Sequence, residues 1–253
     1  MRCQFSEIQF MFALMHELCG RLKPSGGWLA PCFPTQIEEN DLGYDCCLSG
    51  SVRTLFFQFK VPEKKTRSNA LYWNDFYTSY YQFKLWPHDL SPQHNTLVTL
   101  ANADPRHNVF YCSPAFIERS EYNAFYQRQE IAKNSIYIPC RNLPQIQGMD
   151  QHHICYTLHP RQFVMHSDPV EVIALDFDDF LVKMQQSERF SSLESLIHHL
   201  TILLSEVDPL FENSVYAENR YTSNFRLADS PYTRYRHIAN YLLKSQNIHL
   251  LVF

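Results

Sequence analysis

The chain opens on apolar positions that recur at helical spacing. Ile8, Met11, Phe12, Met15, Leu18 and Cys19 fall three or four residues apart, and Ser6 followed by Gln9 has the form of a capping box that would start the helix. Pro24, Gly26, Gly27, Pro31 and Pro34 then interrupt any regular pattern and mark a loop. Residues 43–48 and 54–60 read as two short strands joined by a Ser-Gly turn at 49–51, so the pair predicts a hairpin. Residues 70–85 are dense in Tyr, Phe and Trp, and their periodicity fits an aromatic strand and a short helix equally well. Beyond them the pattern predicts a helix over 92–102, a buried strand over 108–113, a helix over 117–133 and a strand over 135–140.

Helix, hairpin, helix, strand, helix, strand is the order of an α/β sandwich, a central mixed sheet with helices on both faces. Such a core would end near Pro144, giving a domain over 1–144. Over 145–253 the pattern predicts a strand at 153–158, an acidic turn at 176–179 and helices at 193–207 and 234–244. This second part reads as a mainly helical C-terminal elaboration. No internal repeat is visible, which argues against a solenoid.

With 45% hydrophobic residues among 253, the chain can bury a sizeable core. Its net charge of -4 gives no general attraction to phosphate backbones, so any nucleic-acid contact must be local. Two stretches could supply one: KVPEKKTR from Lys60 to Arg67, and the sparser residues 220–236, where Arg alternates with Tyr. The eight cysteines contain no CxxC pair and are expected to be reduced thiols. The absence of a leader pattern or of about 20 consecutive apolar residues points to a cytoplasmic protein with no membrane partner.

The chemistry lies in Gly-Tyr-Asp at 43–45 and Gln-Phe-Lys at 58–60. Alternation along a strand puts Gln58 and Lys60 on one face and Phe57 and Phe59 on the other. An in-register hairpin would bring Asp45 to the first of these faces. A carboxylate, a second oxygen donor and an ammonium at one point are what hydrolysis of a phosphodiester by water requires. Mg²⁺ takes oxygen ligands, here the Asp45 carboxylate, the Gln58 side-chain oxygen and the Phe59 carbonyl. The ion would activate water, while Lys60 would orient the nucleophile or stabilise the charge building on phosphate.

This segment resembles the PD-(D/E)XK nuclease superfamily, and within it the Mrr-like branch, in which Gln replaces the second acidic residue. The resemblance covers roughly the N-terminal half. A family core begins with a helix bearing an acidic residue, here Glu7 or alternatively Glu17, and ends with a strand, helix and short strand, here residues 108–140. It implies a restriction-endonuclease-like fold, Mg²⁺ or Mn²⁺ as cofactor, and Asp45, Gln58, Lys60 and Glu7 as catalytic residues. It also implies nucleic acid as partner, DNA ahead of RNA, in bacterial restriction or phage defence, with a homodimer or a defence-complex protein as further partner.

The sequence departs from an all-acidic motif at Gln58, which brings no negative charge to a site that must hold a dication. Glu38, Glu39 and Asp41 could compensate. The alternative is a catalytically silent nuclease-fold module that binds nucleic acid or scaffolds a defence complex. Among other candidates, the histidines lack zinc-ligand spacing, and Cys112 reads as an inert buried thiol. Gln93 and His94 read as the cap of a helix beside the core, outside the catalytic site.

Overall fold

The computed structural model describes residues 1–21, 54–166, 169–207, 231–246 and 248–252. Helix α1 (Glu7–Arg21) starts at the expected capping box: the Ser6 N–H donates to Gln9 Oε1 at 3.1 Å, and the Gln9 N–H to Ser6 Oγ at 3.2 Å. There follow β1 (Thr54–Phe59), β2 (Glu63–Lys65), α2 (Trp73–Phe76), β3 (Tyr80–Leu85), α3 (Gln93–Ala103), β4 (His107–Pro114), α4 (Arg119–Arg128) and β5 (Ser135–Pro139). The chain continues with β6 (His152–Leu158), β7 (Arg161–His166), β8 (Val170–Glu171), α5 (Phe177–Gln186), α6 (Leu193–Val207), α7 (Pro231–Gln246) and β9 (His249–Val252).

Three local expectations resolve differently. The aromatic stretch at 70–85 holds both alternatives, the single turn α2 and then strand β3. The helix expected to run to residue 133 stops at Arg128, because Gln129 adopts a left-handed conformation at φ 54° and its N–H closes the last turn. The acidic residues at 176–179 form no isolated turn. Asp176 is the N-cap of α5, accepting the Asp179 N–H at 2.9 Å, and Asp178 and Asp179 lie where the helix dipole favours anions.

The first sheet is mixed, in the order β5-β4-β1-β9, with β1 and β4 parallel and joined by way of α3, and β9 antiparallel to β1. The second, β2-β3-β6-β7-β8, is antiparallel throughout. Every residue of β1 and β4 is buried, as expected of parallel strands covered on both faces. On one side, Leu55, Phe57, Phe59 and Phe110 pack against α1 and α5. On the other, Phe56, Val109 and Tyr111 share a core with α3, α6, α7 and the inner face of the second sheet. The molecule is thus α/β, with mixed and antiparallel sheets flanked by helices.

Strands from either side of residue 144 share both sheets: β6 lies beside β3, and β9 beside β1. The C-terminal segment contains β7, β8 and β9 in addition to the one expected strand. The expected hairpin partner at 43–48 lies outside the described residues. Over Thr54–Phe57, β1 is paired with β4 on one edge and β9 on the other, so it has no edge there for a hairpin. No helix among the described residues is long and apolar enough to cross a membrane. The described cysteines Cys3, Cys112, Cys140 and Cys155 are free thiols.

Candidate active site

Strand alternation places Gln58 on the same side of β1 as Phe56, facing the core between the sheets. Gln58 is fully buried and lies beside Tyr111 in the parallel ladder. Its Nε2 donates to the Phe59 carbonyl at 3.1 Å, while its Oε1 has no hydrogen-bond partner. Leaving such an acceptor buried and unsatisfied costs about 1–3 kcal/mol.

Lys60 continues the ladder one step past β1, its N–H donating to the Cys112 carbonyl at 2.9 Å. Its Nζ donates to Gln93 Oε1 at 3.2 Å. Burial holds the Lys60 ammonium below its usual pKa, and the Glu7 carboxylate acts in the opposite sense. Glu7 opens α1 and Gln93 opens α3, so the N-termini of two helices meet the carboxyl end of β1. That end of a parallel strand is where α/β sheets place ligands, and helix N-termini favour anions there.

Of the residues singled out by the sequence, Glu7 and Lys60 are near enough to act on one another electrostatically, and Gln58 lies two residues before Lys60 on the same strand face, opposite the face that packs against α1. Asp45 lies outside the described residues, as do Glu38, Glu39 and Asp41. Glu17 is occupied elsewhere: its carboxylate accepts the N–H groups of Ile131 and Ala132 at 2.9 and 2.8 Å, pinning the turn after α4. Gln93 is the residue that the cap reading set aside. Its signal was topological, since the first residue of a helix that follows a parallel strand sits at that strand's carboxyl end.

His94, its neighbour, is a core residue held between Tyr111 and the Pro144 carbonyl. Burial pushes the Cys112 thiol well above the usual range, as befits an inert group. Gln58 Oε1, the Phe59 carbonyl and the Glu7 carboxylate are hard oxygen donors, which suits Mg²⁺ in kind. Among the described residues no group of three or more His, Cys, Asp or Glu side chains is placed to hold a metal. Protein-family models, curated proteins and solved structures offer no match to this chain. The functional reading therefore rests on its own residues.

Proposed function

We propose that this chain is a metal-dependent nuclease of the PD-(D/E)XK type that hydrolyses phosphodiester bonds, DNA ahead of RNA. The observation that supports the reading is a partly buried ammonium, Lys60, at the carboxyl end of β1, bonded to Gln93 and acted on by the Glu7 carboxylate, with Gln58 two residues before it on the same strand face. Gln58, Phe59 and Glu7, together with Asp45, would hold Mg²⁺ or Mn²⁺. Bound there, the ion would supply an activated water and neutralise charge on the phosphate.

The chain's own groups do the rest. Lys60, partly withdrawn from water, presents a positive charge that acts more strongly on a phosphate oxygen than it would at the surface. Gln93 fixes the direction of that ammonium. Glu7 opposes the lowering of its pKa by burial. Restriction or phage defence in the cytoplasm is the setting such an activity would serve, and a homodimer would set one site on each strand.

Cleavage of plasmid DNA and of a structured RNA with Mg²⁺ or Mn²⁺, beside Lys60→Ala and Asp45→Ala, tests the proposal. Cutting by wild type but by neither variant supports it, and the preferred substrate names the class. A second reading, the silent module, is favoured by Gln58 being an amide wholly buried where a carboxylate would bind a dication better. If folded wild type neither cuts nor takes up Mn²⁺ in a titration, that second reading replaces the first.

A further inference from the structure

We propose that the edge strand β2 and its flanks form a track for the phosphate backbone of a nucleic acid leading to Lys60. The track takes its destination from the nuclease reading, but its existence is a matter of binding alone. β2 is the edge of the second sheet, and Arg2 extends that edge through an antiparallel bridge to Glu63. Residues directly opposed in antiparallel pairs point to the same side, so Arg2, Glu63 and Gln82 share one face. Lys65 lies two residues along β2 and Lys84 two residues along β3, both on that face.

Asp75 borders this face, acting with Lys65 on Cys155, and one carboxylate, that of Glu63, stands among the cations themselves. Lys65 donates to it at 2.8 Å, and that bond, with added pull from Arg2 and Lys84, holds its pKa below the usual range against the effect of burial. On the opposite side of β2, the Lys64 ammonium lies over the Tyr81 ring at 5.2 Å, and Tyr81 stacks on Tyr156. Arg67 is exposed just past the strand. Arg2, Lys64, Lys65, Arg67 and Lys84 thus outnumber Glu63 and Asp75 in this region, on a chain whose net charge is -4.

Cations spread along a strand edge and its neighbours suit a repeating polyanion better than a lone phosphate. Along the chain the patch is tied to the candidate site twice. β2 begins three residues after Lys60, and Arg2 precedes Glu7 by five. Because the rest of the chain is acidic on balance, the attraction is local and would set the direction from which a strand approaches.

The test is fluorescence anisotropy of the full chain with a labelled DNA duplex, the corresponding single strand, the matching RNA and a poly-glutamate peptide. All titrations are run in EDTA over a range of salt, so that cleavage plays no part. Arg67→Glu with Lys84→Glu changes two exposed side chains, and an unaltered melting temperature reports an intact fold. Wild type should bind nucleic acid with log K falling against log salt at a slope of roughly -3 to -4. The double variant should bind at least about tenfold more weakly with a slope shallower by roughly 2, while Lys60→Ala shifts binding only a few-fold.

The track is refuted if wild type binds no nucleic acid, if the double variant binds like wild type, or if poly-glutamate binds as tightly. Binding that is lost in the double variant while wild type cuts nothing would sink the nuclease reading and leave the track standing. Cutting by wild type with unchanged binding in the double variant would do the reverse.

Discussion

Acidification should destabilise this protein before most of its carboxylates protonate, because two core histidines are built to stay neutral. The Nε2–H of His94 donates to the Pro144 carbonyl at 2.9 Å, and its Nδ1 accepts from the Tyr111 hydroxyl at 3.0 Å. A carbonyl can only accept, so this arrangement selects one neutral tautomer. Burial lowers the His94 pKa from 6.5 to about 4. His107 donates from Nδ1 to the Leu100 carbonyl at 2.7 Å and is likewise lowered to about 4, burial again being the main cause. Between these values the unfolded chain binds more protons than the folded one. The stabilisation is therefore complete above pH 6.5 and declines as the pH falls toward 4.

Each histidine then contributes a loss of about 1 kcal/mol by about pH 5.5 and about 3 kcal/mol once both forms have titrated. Two together approach the lower end of the roughly 5–15 kcal/mol that holds a domain folded. Asp104, held at about 2 chiefly by its hydrogen bond with Arg106, gives up its contribution only below this window. Glu17, raised by burial, works in the opposite sense and trims the slope. Urea unfolding followed by far-UV circular dichroism from about pH 7.5 to about pH 5 measures the effect. His94→Gln retains a donor and an acceptor but cannot titrate, so its stability should fall by about 1 kcal/mol less by about pH 5.5. A flat wild-type profile over that range, or an identical slope in His94→Gln, would show the reasoning to be mistaken.

Gln93→Ala should lower kcat for nucleic-acid cleavage about tenfold with little change in KM, since it frees the Lys60 ammonium from its direction without touching substrate; equal kcat values would remove Gln93 from the site. Glu7→Gln should move the alkaline limb of the pH–rate profile to lower pH, because the carboxylate now raises the Lys60 pKa, and an unmoved limb would contradict their proximity. Glu17→Ala should cost about 2–4 kcal/mol by stranding the Ile131 and Ala132 N–H groups, with cleavage retained at a temperature where the variant is folded. Tyr156→Phe should lower stability by about 1–2 kcal/mol in thermal unfolding, through loss of the hydroxyl bonds to the Pro114 carbonyl at 2.7 Å and to Ser113 at 3.0 Å.

What the sequence made legible is what neighbours along the chain decide. The Ser6–Gln9 box, the apolar run of β4 and the alternation that turns Gln58 away from Phe57 are all written within a few residues of where they act. Strand partners are chosen at long range, and there local pattern fails. His-Leu-Leu-Val at 249–252 is too short to display a period, yet as β9 it takes the edge of β1 that adjacency in sequence had assigned to a hairpin. Gln93 was hidden for the same reason: the pattern marks a helix start, while only the crossover from β1 to β4 brings that start to Lys60.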